Sequence, residues 1–133
     1  MTYLLDTNTC IALLNNRPGR VAEQLATFRP SDISLCQIVK AELYYGAYKS
    51  DRVAENLTIL HQFCQQFQTL SFTDRAVEIY GQIRADLVRQ GLPIGPNDFI
   101  IAATALAHDV TLVTHNTREF SRLPELKLAD WTT

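Results

Sequence analysis

The stretch YLLDTN, residues 3–8, runs three apolar residues into an aspartate and then into small polar ones. The apolar triplet reads as a short buried strand, and the run CIALL at residues 10–14 reads as the helix that follows it. Asp6 stands at the junction. Its side-chain oxygen is suited to cap that helix by accepting a backbone N–H. Equally, open α/β sheets meet their ligands at the carboxyl ends of strands, so an acid there is placed for a cation or a phosphate. Position 6 alone leaves both readings open.

The same alternation continues outward. Strand-like TYLL gives way to helical DTNTCIALLNN, a second helix from about Arg20 to Phe28, and the strand DISLC. IVKAELYYGAYK is predicted helical, ending near Gly46, and a longer helix is predicted from Asp51 to about Gln66. QTLSF is a short strand, TDRAVEIYGQIRADLVRQG an amphipathic helix stopped by Gly91, PNDFIIAATALAHD another helix, and VTLVTHN a closing strand. Strands separated by helices imply βαβ crossovers, hence an α/β fold of three layers, α/β/α, around a central, mostly parallel sheet. No repeat, linker or low-complexity tract divides residues 1–133, so a single domain is expected.

Composition narrows the function classes. The 133 residues are 47% hydrophobic and 20% charged, the balance of a globular chain, with a net charge of only −2. Tracking of nucleic acid by bulk charge is excluded, and any such contact must come from a local patch. Cys10, Cys36 and Cys64 show no metal or redox spacing and read as core residues in a reducing cytoplasm. No apolar run approaches the roughly 18 residues of a membrane span, and MTYLLD lacks the charged and apolar regions of a signal peptide.

Among 14 Asp and Glu residues, most sit on solvated helix faces. Glu42 does not: its neighbours one turn away are Ile38, Val39, Tyr45 and Gly46, on or beside the stripe meant for the core. Asp98 opens the apolar helix FIIAATA, where either it or Asn97 is placed to cap, or where it faces inward with Ile101, Ala102 and Ala105. The last strand runs into Thr114, His115 and Asn116, with Glu119 on a helical turn beyond. Together, two strands ending in polar groups and two helices each carrying an inward acid surround one cleft. Such a cluster requires a counter-ion, and oxygen ligands without His or Cys select Mg²⁺ or Mn²⁺. Metal-assisted phosphodiester hydrolysis is the chemistry that suits it.

The order LLDTN, AELYYG, PIGPNDFIIAATA, LVTHNTREF, down to the terminal LADW, resembles the PIN-domain ribonucleases and specifically the VapC toxins of bacterial toxin–antitoxin pairs. The resemblance implies a compact α/β/α domain, a Mg²⁺- or Mn²⁺-dependent endonuclease acting on structured RNA, a cognate antitoxin that blocks the site, and a homodimer. It matches Asp6, Glu42 and Asp98 to the acidic triad that holds the metal. The family often carries a further acid in the last block, where this chain has Asn116 and then Glu119. Asn8 and Thr114 match polar positions that orient waters or ligands. The stretch GQIRADLVRQGLPIGPND is similar to VapC toxins that cut initiator tRNA in its anticodon stem-loop.

Other residues add less. His61, His108 and His115 lack metal spacing, although His115 lies near the proposed cleft. Lys40, Arg84, Arg89, Arg118 and Arg122 are candidate phosphate contacts. Tyr44, Tyr45 and Tyr48 crowd one helix end, as core or as a surface patch. Two rivals remain: a Mg²⁺ phosphohydrolase with an aspartyl nucleophile, which generally needs DxD where this chain has Asn8, and a non-catalytic RNA- or protein-binding module.

Overall fold

The structure, a computed structural model, describes residues 2–15 and 19–133. Five strands form one sheet: β1 (Tyr3–Leu5), β2 (Ile33–Cys36), β3 (Gln68–Leu70), β4 (Thr111–Val113) and β5 (Leu128–Ala129). Their order is β3-β2-β1-β4-β5, and every pairing is parallel. Leu4, Leu5, Ile33, Leu35, Leu112 and Val113 are fully buried, which explains why the inner strands read as continuous apolar runs: a parallel sheet is covered on both faces.

The covering helices are α1 (Thr7–Leu14), α2 (Arg20–Ala26), α3 (Gln37–Tyr48), α4 (Val53–Gln65), α5 (Asp74–Arg89), α6 (Pro96–His108) and the short α7 (Thr117–Phe120). Helix α1 packs with α2, α3 and α4, whereas α5 packs chiefly on α6. The chain order explains the split. Right-handed crossovers carry the first three strands outward in one direction, and the return from β3 to β4 passes on the other face. The reversal leaves a topological switch point between β1 and β4, at their carboxyl ends, the place where such sheets open to ligands.

Several expected boundaries moved. Helix α3 runs past Gly46 to Tyr48, because burial of Leu43 and Ala47 outweighs the roughly 1 kcal/mol helix penalty of one glycine. Helix α4 begins at Val53, not Asp51. The end of the first predicted helix, Asn16, lies outside the described residues. Strand β5, inside the LADW block, has two residues, too few to show a period. Other expectations hold: Gly91, at φ 71, ends α5 in the left-handed region while Leu92 N–H donates to Leu87 O at 2.9 Å. Helix α6 is central, with Phe99 and residues 101–105 buried.

The C-terminus is tied down by aromatic packing. Trp131 stacks on Phe28 at 5.4 Å between ring centroids, and Tyr3 tilts against both. The three cysteines are free and buried, and burial pushes the Cys36 thiol up to about 11, so these are packing groups without thiolate chemistry. Among the described residues no helix is long and apolar enough to cross a membrane.

Candidate active site

At the switch point, Asp6 follows the last residue of β1 and is nearly buried. It caps α1: Thr9 N–H donates to Asp6 Oδ1 at 2.8 Å. Its own N–H donates to Val113 O at 3.1 Å, and Thr9 Oγ1 donates to the same carbonyl at 3.3 Å. The carboxylate is thereby locked between the ends of β1 and β4. The cap uses Oδ1 only, so capping is compatible with a site role at this residue.

Glu42 is half-buried in the middle of α3. The buried stripe of that helix is Val39, Leu43 and Ala47, so Glu42 sits at its edge, and Tyr45, read from sequence as core or as surface patch, is 67% exposed. Thr7 Oγ1 donates to Glu42 Oε1 at 2.7 Å, which orients the carboxylate toward the start of α1.

Asp98 stands in the first turn of α6, but the cap is Gly95 and no side chain makes a capping hydrogen bond, so the capping role expected of Asn97 or Asp98 is not realised. Pro96 opens the helix with its fixed φ. A Cβ at Gly95 would lie 3.2 Å from Asp98 Oδ2, so glycine there gives the carboxylate room. Burial first, then the charges of Glu42, Glu119 and Asp6, raise the Asp98 carboxyl from its ordinary 3.8 to about 6. That ordering draws the cluster: acids from the end of β1, from α3 and from α7 act on one group of α6.

Past β4, Asn116 N–H donates to the Thr114 hydroxyl at 3.0 Å, and Asn116 Nδ2 donates to Glu119 Oε2 at 2.8 Å. Thr114 is fully buried, so its hydroxyl shapes the loop, whereas Asn8 is exposed and lines the cleft with Glu42 and Asn97. Asn116 steadies Glu119, and Glu119 is the acid that bears on Asp98.

Among the described residues, none of Asp6, Glu42, Asp98 and Glu119 takes part in an ion pair. Nor do any three His, Cys, Asp or Glu side chains meet closely enough to form a finished metal cage. The charges of Glu42, Glu119 and Asp6 all reach Asp98, and the fit to a hard divalent cation is one of donor chemistry and charge: oxygen atoms only, no ion-pair partner among the described residues, and an elevated carboxyl.

The basic residues are largely engaged elsewhere. Arg89 pairs with Asp86 at 2.9 Å, Lys40 donates to Thr69 at 2.9 Å, Arg122 donates to Pro93 O at 3.1 Å, and Arg84 lies over the Tyr80 and Phe99 rings. His115 is tied through Nδ1 to Asp130 and Thr132, and His108 to Ser71 O. Sequence reasoning missed Thr7 and Gly95. The one signal for Thr7 was its place between Asp6 and Asn8, and its long-range partner was invisible.

Residues 3–126 match the PIN domain family. Ribonuclease VapC2 of Rickettsia felis is 38% identical over 132 residues, covering 98% of each chain. The tRNA(fMet)-specific endonuclease VapC of Salmonella typhimurium is 37% identical over 131 residues, again 98% of each. A chain in the crystal structure of DNA-bound VapBC from Salmonella typhimurium shares the fold with a TM-score of 0.92 at 37% identity, covering 98% of both. The chain belongs to the PIN-domain family, among its VapC-type ribonuclease toxins.

Proposed function

We propose that this chain is a single-domain, cytoplasmic, Mg²⁺-dependent endoribonuclease that hydrolyses phosphodiester bonds of structured RNA, with initiator tRNA at the anticodon stem-loop as substrate, and that a cognate antitoxin silences it. The observation that carries the reading is that acids from three parts of the chain, Asp6, Glu42 and Glu119, bear on Asp98 at the switch point of the sheet, with none of the four in an ion pair among the described residues. The tRNA(fMet) specificity named for the Salmonella relative supports the substrate.

In this reading Asp6, Glu42 and Asp98 hold the metal, with Mn²⁺ able to replace Mg²⁺. The bound ion would activate a water and offset charge on the phosphate. The chain's own part is orientation. The Thr9 N–H fixes one oxygen of Asp6, Thr7 aims Glu42, and Asn116 holds Glu119 toward Asp98. Burial at the ends of β1 and β4 limits water around Asp6 and strengthens every charge interaction there.

An apolar groove lined by Ile11, Leu14, Leu43, Ile59 and Leu60 runs alongside Glu42, with Ile11 and Ile59 exposed. It suits an apolar antitoxin segment that covers the acids, and a Salmonella typhimurium relative has been solved as a VapBC complex. An aspartyl nucleophile is disfavoured, because Asp6 is nearly buried and one of its oxygens is committed to the cap. Acids without ion-pair partners also speak against a module that merely binds.

Antitoxin-free protein incubated with total RNA in Mg²⁺, Mn²⁺ or EDTA, with cleaved ends mapped by sequencing, tests the proposal. A discrete cut in the initiator tRNA anticodon stem-loop that requires the divalent ion is expected. Equal cutting in EDTA would refute the metal mechanism, and cuts confined to other RNAs would refute the substrate.

A further inference from the structure

The cleft that holds Glu42 continues along α3. It has a volume of about 610 Å³ and is lined by Thr7, Asn8, Glu42, Tyr45, Lys49 and Asn97, so it runs from Glu42 along one face of that helix. Tyr45 lies one turn beyond Glu42 and is 67% exposed, although α3 has a buried stripe close by. The ammonium of Lys49 stands 5.0 Å from its ring centroid. Gly46 comes next, inside the helix, where glycine is unfavourable. A Cβ added there would meet nothing within 4 Å, so packing does not demand glycine. Gly46 lines the cleft together with Tyr45 and Lys49.

An exposed aromatic with a neighbouring cation, beside a phosphodiester-cleaving site, has the composition of single-strand RNA subsites. Splayed loop bases stack on aromatic rings, and basic groups meet the phosphate that follows. We infer that Tyr45, Gly46 and Lys49 form a subsite for one unpaired loop nucleotide next to the scissile bond. The base stacks on Tyr45, Gly46 leaves the clearance that a flat ring needs, and Lys49 meets the adjoining phosphate. The inference rests on the ribonuclease reading and adds where a substrate loop is gripped.

The test uses steady-state cleavage of a hairpin RNA that the wild-type protein cuts in Mg²⁺. Tyr45→Ala should raise KM about tenfold with kcat little changed, the loss of one stacked base, whereas Tyr45→Phe should retain wild-type KM. Tyr48 is the control: it is equally exposed, at 64%, but lines a separate hollow with Tyr44 and His61, so Tyr48→Ala should leave KM unchanged. An abasic nucleotide at one loop position should raise the wild-type KM by a similar factor and add nothing in Tyr45→Ala. Lys49→Gln should raise KM and reduce its salt dependence. An unchanged KM in Tyr45→Ala, or an abasic penalty that persists in full there, would overturn the inference. So would a variant that cuts normally but loses antitoxin, since the patch would then serve that partner. A wild-type protein that cuts no RNA removes the ribonuclease reading itself, whereas normal cutting with an indifferent Tyr45 removes this inference alone.

Discussion

Asp6 separates two kinds of work in one side chain. Asparagine is as good an N-cap as aspartate, so Asp6→Asn should keep the fold and abolish RNA cleavage, whereas Asp6→Ala should also lose about 1 kcal/mol of stability with the cap. Thermal unfolding beside a cleavage assay distinguishes them, and an Asp6→Asn variant with full activity would contradict the metal role. Asp98 should show the opposite stability sign. Replacing it with Asn relieves desolvation and repulsion, so metal-free protein should gain about 1 kcal/mol, discounted for partial exposure, while cleavage is lost. At this scale the sequence was informative where an acid stood against its background, as Asp98 does before FIIAATA. It was uninformative where identity depends on a distant partner. Nothing local marks Thr7 as the donor to Glu42, 35 residues away, whereas the Asn116 and Glu119 pair, three residues apart, did stand out in the sequence.

The elements that place the acids were legible to different degrees. Helix α5 carries a strong period and a clear stop signal in Gly91, α6 and the inner strands are marked by continuous apolar runs, and their sequence reading matches the structure. Strand β5 and the true end of α3 did not show, the first because two residues carry no pattern and the second because tertiary burial overrides a helix-breaking glycine. Gly46 therefore offers a test of its own. Gly46→Ala meets no steric obstacle and should stabilise α3 by about 0.5–1 kcal/mol, read as a rise in Tm. If the residue is kept open for substrate, the more stable variant should bind RNA less well, a trade that simple helix propensity does not produce. A Tm that falls would show that the glycine serves a packing role.

For the molecule as a whole, the proposed metal role makes the Asp98 carboxyl a link between stability, proton and cation. Its folded value of about 6 lies above the ordinary 3.8, so the folded protein keeps a proton that the unfolded chain has released. This group's contribution to stability is therefore greatest below about pH 4, declines between about 4 and 6, and is level above. In metal-free protein the Tm difference between wild type and Asp98→Asn should widen across that window. A divalent ion needs the deprotonated carboxylate, so its affinity should rise through the same range. The parallel sheet makes this coupling possible: its switch point brings β1 and β4 together at one edge of the cleft, and α3 and α6 supply the remaining acids. Calorimetric titration of Mn²⁺ into antitoxin-free protein at pH 7 and at pH 5, on wild type and on Asp98→Asn, tests that coupling most directly. Binding at pH 7 that weakens at pH 5 and is largely lost in Asp98→Asn is the expected result, and binding of equal strength in both proteins at both pH values would contradict the assignment of these acids to one divalent site.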